Sequence, residues 1–415
     1  MFIEFSAANF LSINDKITLN LLASKDNSLD YHLIKSPVLK EKSLLKTSAV
    51  YGANASGKSN VLKALYFFKN FILNSHKMQQ GDEINIVPFK LDEKSIDKPS
   101  QFEIVFIFNG IRYAYGFSVD YEKVYEEYLY YFPKGRQSLV FERENTNEYT
   151  FTVDKKEQKE LSMRTPQNTL YFSSATRWNY QGTAAPFEWL RNHLKVVTTH
   201  EKMSFWRFTA QLASQDGGII KTINQSLMEA DLGINALKIS KEKTSNDTAR
   251  ELNGEWQPMF PAGKSLTLHT QHVGIDKEGN EKTLYFKLEE ESDGTQKFFS
   301  LLGPFIDVLM NGYVLFIDEL EASLHPHLTK FLVNLFHNPA QNKNNAQLIF
   351  TTHDTNLLNL LRRDQVWFTE KNPKTGSTDL YSLLEFSPRK DQNIEKGYLS
   401  GRYGAVPFLG DGKIL

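Results

Sequence analysis

The 415-residue sequence contains no cysteine, so it forms neither a disulfide nor a thiolate metal site, which fits a reducing compartment. Its net charge of −1 excludes a global basic field that would draw the whole molecule to nucleic acid or to a membrane. The most apolar region, 298–317, contains Gly303, Pro304 and Asp307, which is typical of helix, turn and buried strand rather than of a membrane span. The first residues lack the basic start and the apolar stretch of a signal peptide. We therefore expect a soluble, cytoplasmic protein.

The composition is that of an ordinary globular protein. Hydrophobic residues make up 40% and charged residues 23%, and the length allows one to three domains. The closing alternation of apolar strands and helices, from about residue 283 onward, is typical of a mostly parallel sheet. We expect an α/β fold with mixed and parallel sheets, divided into segments 1–185, 186–279 (a mainly helical insertion) and 280–415.

Local patterns predict individual elements. Apolar residues at helical spacing follow position 61, and β-rich runs between 100 and 155 predict an antiparallel meander. Asn109-Gly110 between two such runs predicts a hairpin turn, because both positions favour positive φ. Further expectations are a strand at 170–172, an exposed polar loop at 241–264 and a helix at 355–362.

A glycine-rich loop follows the apolar strand 48–51. Residues 52–59 match the pattern G-x-x-x-x-G-K-[ST], whose backbone N–H groups point at phosphate oxygens. Lys58 adds positive charge at the β- and γ-phosphates, Ser59 offers a hydroxyl to Mg²⁺, and a helix N-terminus follows. A glycine-rich turn without a ligand is the alternative. The predicted ATP contacts are Gly52, Asn54, Ala55, Ser56, Gly57, Lys58, Ser59 and Asn60.

A second apolar strand ends in two adjacent carboxylates, Asp318 and Glu319. Next to a phosphate loop, Asp318 would hold Mg²⁺ and Glu319 would act as general base on the attacking water. Without that loop, a buried strand meeting a charged turn would explain them. A third strand, 347–350, leads to His353, which we expect to sense the γ-phosphate, with a structural histidine as the alternative.

These segments, in their order, resemble the ABC-class ATPase head of SMC, Rad50 and RecF-type proteins. Glu-Ser-Asp-Gly-Thr-Gln at 291–296 resembles the ABC signature, and Glu-Ala-Ser-Leu-His-Pro at 321–326 resembles the D-loop. The resemblance implies an ABC-type P-loop fold, ATP and Mg²⁺, and a homodimer or higher oligomer whose heads sandwich ATP. In that dimer Ser292 and Gly294 would contact the γ-phosphate bound by the other subunit.

The chain also resembles the AAA-15/AAA-21 group of prokaryotic ATPases, including RloA-like and OLD-like proteins. The segments that carry this resemblance are 8–13, 51–56 and 398–407. Proteins of this group often act beside a nuclease or another toxic effector in anti-phage defence. The Q-loop glutamine has no clear counterpart, because Gln167 precedes the expected position and the next glutamine is Gln181.

Three functions follow as hypotheses. The first is a nucleotide-gated sensor or scaffold that controls a separate effector, which the absence of a nuclease signature supports. The second is a DNA-repair or chromosome-maintenance ATPase that binds DNA through Arg389, Lys390, Lys396 and Arg402 interleaved with Tyr398 and Tyr403. A transporter subunit is disfavoured, because 233 positions separate Ser59 from Ser292 and no Leu-Ser-Gly-Gly-Gln motif occurs.

Overall fold

The computed structural model describes residues 1–198, 205–230, 232–243, 256, 264–389 and 392–407. The chain divides into two units. The first consists of Met1–Val196, Gly312–Asp318 and Asn345–Leu415, and the second of Val197–Asn311 and Glu319–Asn344. The division of the sequence at 185/186 and 279/280 stays a prediction. Most of the polar loop predicted at 241–264 lies outside the described residues.

Strands occur in both units. In chain order the strands are β1 (Phe2–Ala8), β2 (Ile17–Asn20), β3 (Leu33–Lys35), β4 (Ser43–Leu45), β5 (Thr47–Tyr51), β6 (Ser100–Phe108), β7 (Ile111–Val119), β8 (Val124–Phe132), β9 (Ser138–Glu144), β10 (Glu148–Phe151), β11 (Leu194–Val197), β12 (Ala236–Lys243), β13 (Lys264–Ile275), β14 (Glu281–Lys287), β15 (Val314–Ile317), β16 (Gln347–Thr351), β17 (Val366–Lys371) and β18 (Thr378–Ser382).

Helices occur in both units. In chain order they are α1 (Lys58–Asn74), α2 (Glu93–Ile96), α3 (Lys155–Ser162), α4 (Tyr171–Arg177), α5 (Gln181–Glu188), α6 (Phe205–Gln215), α7 (Gly217–Glu229), α8 (Asp293–Asn311), α9 (Pro326–His337) and α10 (Ile394–Leu399). A five-residue π-helix, Trp189–His193, follows α5 directly. No helix of the described residues is both long enough and apolar enough to cross a membrane.

The predicted meander is the larger part of a seven-stranded sheet in the order β10-β9-β8-β7-β6-β1-β2. Its neighbouring strands, including those of the β6–β7 hairpin, are antiparallel. The turn of that hairpin holds Asn109 at φ 49° and Gly110 at φ 74°, so the prediction from this dipeptide is confirmed.

The sheet that positions the site has six strands in the order β11-β15-β16-β5-β17-β18. Strands β15, β16, β5 and β17 run parallel, and β18 is antiparallel to β17. Residues of β15, β16 and β5 are fully buried, as expected for parallel strands covered on both faces. Because the strands are parallel, the segments that follow β15, β16 and β5 all emerge at one edge.

Helix α1 packs its apolar stripe against the seven-stranded sheet. Buried Phe68 contacts the ring of Phe5 at 5.7 Å and stacks on Phe117 at 5.3 Å between ring centroids. Apolar residues recur on this face at helical spacing, so burying the stripe stabilises the helix and fixes the direction in which it leaves β5.

The second unit contains the three-stranded sheet β12-β13-β14 and helices α6 to α9. Thr209 of α6 lies against α8, where its hydroxyl donates to Ser300 O at 3.1 Å and accepts from Gly303 N at 3.1 Å. A Cβ at Gly303 would collide with Thr209, so glycine permits this close approach of the two helices. Helices α6 and α7 both lie within the segment 186–279, which the sequence predicts to be mainly helical.

Two predicted elements are wrong. The strand expected at 170–172 is the start of α4, where the backbone N–H groups of Tyr171 and Phe172 donate to the buried Glu127 carboxylate at 2.7 and 2.9 Å. That carboxylate satisfies the first turn of the helix, and it comes from β8, far away in sequence. The helix expected at 355–362 is only a 3₁₀ turn, Thr355–Asn359.

Candidate functional site

The glycine-rich loop connects β5 to α1, as predicted. Two of its residues have left-handed backbone, Ala55 at φ 63° and Gly57 at φ 106°. A Cβ at Gly57 would collide with Thr378, and a Cβ at Gly52 would lie 2.5 Å from Ser56 Oγ. Both glycines are therefore required by close packing around the loop, and Gly57 also by its backbone conformation.

A network of hydrogen-bonded polar side chains holds the glycine-rich loop against β17, β18 and the N-terminal segment. Ser56 Oγ lies 2.6 Å from Thr369 Oγ1, and Thr378 Oγ1 donates to Ser56 O at 3.0 Å. Ser12 Oγ accepts from Asn60 Nδ2 at 2.7 Å and lies 2.6 Å from Thr378 Oγ1. Sequence reasoning missed the two threonines, because they belong to no motif and lie more than 300 residues away along the chain.

Lys58 begins α1 and folds back over the loop. Its side chain is only 6% exposed, and Nζ donates to Gly52 O at 2.8 Å and Ala53 O at 3.1 Å. The ammonium group therefore lies against the loop backbone, where a phosphate bound by the loop N–H groups would meet it.

Side chains from two other structural elements meet at one carboxylate oxygen of Asp318. Asp318 Oδ1 accepts from the Ser59 hydroxyl at 3.2 Å and from the Thr351 hydroxyl at 2.6 Å. Asp318 directly follows β15, Thr351 ends β16 and Ser59 lies in the first turn of α1. The structure thus brings the two predicted metal ligands together, and it adds Thr351, which the sequence did not single out.

The residue after this aspartate has an unusual backbone. Glu319 has φ 45°, in the left-handed region that side chains other than glycine and asparagine rarely adopt. Such strain persists only where the surroundings impose it, and it gathers at functional sites. His353 is exposed and lies two residues beyond Thr351, on the loop that leaves the same edge of the six-stranded sheet.

The signature segment belongs to the second unit. Ser292 Oγ accepts from Thr295 N at 3.2 Å, as a helix N-cap does at the start of α8. Glu291 is held by β13, because its Oε1 lies 2.7 Å from His272 Nε2 and accepts from the Thr270 hydroxyl. A Cβ at Gly294 would lie 3.1 Å from Ser323 O, so the signature closely approaches the predicted D-loop.

The predicted site residues thus fall into two groups. Those in the first unit are Gly52, Asn54, Ala55, Ser56, Gly57, Lys58, Ser59, Asn60, Asp318 and His353. Those in the second unit are Ser292, Gly294 and Glu319. Their roles in binding and catalysis stay predictions.

The basic and aromatic patch suggested for DNA is not formed as expected. Tyr398 and Tyr403 are 7% and 1% exposed, and both rings contact Phe368. Buried rings offer no free face on which a base stacks. Lys390 of the same patch lies outside the described residues.

Comparison with known proteins agrees with this geometry. The family model AAA_21, described as "AAA domain, putative AbiEii toxin, Type IV TA system", matches residues 48–359, more than half of the chain. The chain belongs to the AAA_21 family. The match includes the glycine-rich loop, the signature, Asp318 and His353. A comparison with curated proteins gave no match.

Solved structures similar to this AAA_21 protein are distant. They include the SMC head domain from Thermotoga maritima, with 12% identity, TM-score 0.42 and coverage of 92% of this chain and 98% of that chain. The SMC head bound to the C-winged helix domain of ScpA has 14% identity, TM-score 0.45 and coverage of 93% and 99%. The Clostridium perfringens protein cbiO1, part of the ABC transporter complex cbiONQ, has 12% identity, TM-score 0.35 and coverage of 96% and 95%.

The observed topology and the family together, and not these distant likenesses, define the class of the chain. A parallel sheet carries the phosphate loop, with one strand, β16, between the loop strand β5 and the carboxylate strand β15. The AAA_21 protein is therefore an α/β protein whose glycine-rich loop lies on a mixed, largely parallel sheet, and the predicted fold class is confirmed.

Proposed function

We propose that this chain binds and hydrolyses ATP with Mg²⁺, and that its nucleotide state controls a separate effector protein. The observation that supports this most directly is the junction of Ser59, Asp318 and Thr351 beside the phosphate loop. A hydroxyl and a carboxylate next to a phosphate cradle are the protein ligands that ATP-dependent P-loop proteins use for Mg²⁺.

The residues present fit this ion. Oxygen is the donor atom that Mg²⁺ prefers, and the ion keeps several waters when few protein ligands are offered. Ser59 and Asp318 are the residues that would hold it, and Thr351 would orient the Asp318 carboxylate. When bound, Mg²⁺ supplies positive charge to the β- and γ-phosphate oxygens.

The loop and its lysine would bind the triphosphate. Lys58 now donates to Gly52 O and Ala53 O, and neutral carbonyls are weaker partners for an ammonium group than phosphate oxygens are. ATP binding would therefore exchange these carbonyl contacts for phosphate contacts. Anion binding at the N-terminus of a 17-residue helix adds to this attraction.

Hydrolysis requires a base and an in-line water. Glu319 would accept a proton from the water as its oxygen bonds to the γ-phosphorus, while the bond to the leaving ADP oxygen breaks. His353 would donate a hydrogen bond to a γ-phosphate oxygen and so distinguish ATP from ADP. The left-handed backbone of Glu319 supports its assignment as a functional residue.

A second copy of the chain would complete the site. Ser292 of the partner subunit, together with the α8 N-terminus, would contact the γ-phosphate across a two-fold interface. Hydrolysis would remove those bridging contacts and loosen the pair. The close approach of Gly294 to Ser323 supports a common role for the signature and the D-loop.

The effector is proposed to be a nuclease on another chain, acting in anti-phage defence. The description of the family names a putative toxin of a type IV toxin–antitoxin system, which supports a role in growth control or defence. A RloA-like or OLD-like assignment within the family is part of the same proposal.

One experiment tests both parts of the proposal. Tagged Glu319→Gln protein is purified with MgATP from cells that carry the native locus, and the complexes are weighed by native mass spectrometry. We expect an ATP-bound homodimer with a stoichiometric second protein. The Lys58→Ala protein, treated identically, should be monomeric and free of nucleotide. A homodimer that carries DNA and no second chain would contradict effector control, and a nucleotide-free Glu319→Gln protein would contradict the ATP site.

A further inference from the structure

A cavity of about 430 Å³ lies at the opposite end of α1 from the phosphate loop. It is formed by the end of α1, by α4 and by the turn from α5 into the π-helix, all within the first unit. Since α1 has 17 residues, roughly 25 Å separate it from the loop. We call it the distal pocket, defined by His76, Lys77, Ser173, Arg177, Phe187 and Arg191.

The distal pocket is basic. Lys77, Arg177 and Arg191 each bring a positive charge, and His76 adds a titratable ring. No carboxylate is among the described residues that line it. The pKa of His76 is lowered mainly by burial and further by the nearby positive charges of Arg177 and Lys77. The positive charge of the distal pocket is therefore local, because the net charge of the whole chain is −1.

The positions of these groups are set by short contacts. Arg177 Nη1 donates to His76 O at 2.7 Å, and His76 Nδ1 lies 3.1 Å from Ser173 Oγ. Lys77 Nζ donates to Asn74 Oδ1 at 2.8 Å. These contacts hold α4 against the end of α1 and keep two of the cations at the rim of the cavity.

The negative end of the α1 helix dipole attracts cations, but this attraction explains only some of the positive charges in the distal pocket. Cations near a helix C-terminus are favourable, which accounts for His76 and Lys77. Arg177 comes from α4, and Arg191 from the π-helix Trp189–His193. The π-helix is a rare conformation that often occurs at functional sites. Among the described residues Arg191 has no hydrogen-bond or ion-pair partner, so its guanidinium group is available to a ligand.

We propose that the distal pocket binds the phosphate group of a nucleotide-sized ligand. Guanidinium groups match phosphate oxygens in a planar, two-pronged geometry, and lysine adds a point charge. The volume is in the range of small-molecule sites, and Phe187 offers a half-buried ring against which a base or sugar packs. The positively charged side chains line one cavity and do not form a stripe along the surface. This arrangement favours a single phosphate group as the ligand over the extended phosphate backbone of a nucleic acid.

The test measures binding in the Lys58→Ala background, so that the loop does not compete. Isothermal titration uses three probes: inorganic phosphate, AMP and a 5′-phosphorylated dinucleotide. We expect saturable binding of at least one probe, and a loss of about tenfold in affinity in Arg191→Gln, with partial recovery in Arg191→Lys. The matched control is Arg136→Gln, which removes the same charge from an exposed arginine outside the pocket.

The probes distinguish the sources of the phosphate. Tighter binding of AMP assigns the pocket to a free nucleotide, and tighter binding of the phosphorylated dinucleotide assigns it to the end of a nucleic acid strand. Equal affinities in Arg191→Gln and Arg136→Gln, or no saturation by any probe, would overturn the proposal. Melting temperatures of both variants, expected to equal that of the parent, show that a lost signal is not lost folding. The result does not depend on whether the chain hydrolyses ATP.

Discussion

Different kinds of hydrogen bond stabilise two parts of the molecule, the phosphate-loop edge within the first unit and the signature segment within the second unit. At the loop edge, hydrogen bonds join side chains that are far apart in sequence, such as Ser59 with Asp318 and Ser56 with Thr369. Around the signature, the cap of Ser292 is local, and Glu291 is tied to the neighbouring strand β13. We infer that ATP affinity depends mainly on the first unit, and that the signature acts on later steps.

The strongest test of this inference is Lys58→Ala. We expect ATP affinity to fall about 100-fold, because a buried charge-assisted contact to phosphate is lost. Titration with a fluorescent ATP analogue measures it. Lys63→Ala, which removes an exposed lysine of the same helix, is the control and should bind like the parent. Affinity within threefold of the parent in Lys58→Ala would show that the loop does not carry binding.

Removing the carboxylate of Glu319 should separate binding from turnover. In Glu319→Gln we expect kcat to fall about 100-fold or more, the usual effect of losing a general base, with ATP affinity within about threefold. Phosphate release and equilibrium binding are measured on the same preparation. Glu289→Gln, an exposed change in the same unit, serves as the control. Unchanged turnover would remove Glu319 from the mechanism.

Thr351→Val tests the residue of the Ser59–Asp318–Thr351 junction that the sequence did not predict. The buried Asp318 oxygen would lose its shorter hydroxyl donor, so we expect the free energy of unfolding to fall by about 1–2 kcal/mol and the Mg²⁺ requirement for ATP binding to rise. Urea denaturation and Mg²⁺ titration provide the two measurements. Thr351→Ser, which keeps the hydroxyl, should recover both. Equal Mg²⁺ dependence in Val and Ser variants would mean that the hydroxyl does not orient the carboxylate.

The smallest effect is expected at the signature. Ser292→Ala removes the cap of α8 and should lower the free energy of unfolding by about 1 kcal/mol. ATP affinity of the monomer should be unchanged, while ATP-dependent dimerisation, followed by sedimentation, should weaken. Ser292→Thr preserves a capping hydroxyl and is the matched variant. If the Ser292→Ala monomer lost as much ATP affinity as Lys58→Ala does, the inference that ATP affinity depends mainly on the first unit would be wrong.

The sequence allowed only some of the contacts at the phosphate-loop edge to be predicted. Ser59 and Asp318, both predicted to hold Mg²⁺, are in contact in the structure, and each lies in a motif with a fixed place relative to a strand. Thr351, Thr369 and Thr378 were missed, since a single threonine carries no pattern and only the fold brings it to the loop. Ser12 did lie in the segment 8–13 that carried the family resemblance, and that was the one available signal.

The errors in secondary structure have a similar cause. Residues 170–172 are apolar and aromatic, which favours a strand, but the Glu127 carboxylate supplies the acceptors that a helix start needs. Contacts between residues 44 and 45 positions apart overrode the local preference. The meander and its Asn109-Gly110 turn were predictable, because neighbouring strands in sequence are also neighbours in the sheet.

The strand order has a consequence for how the protein is made. Strand β5, which carries the phosphate loop, is flanked in the sheet by β16 and β17, and these begin at Gln347 and Val366. At typical rates of translation, β5 leaves the ribosome roughly 15 to 60 seconds before either neighbour exists. During synthesis the apolar strand β5 and its glycine-rich loop therefore stay without their neighbouring strands for this time. A chain truncated before residue 347 would lack both neighbours of β5, and with them the sheet edge at which we propose that ATP binds.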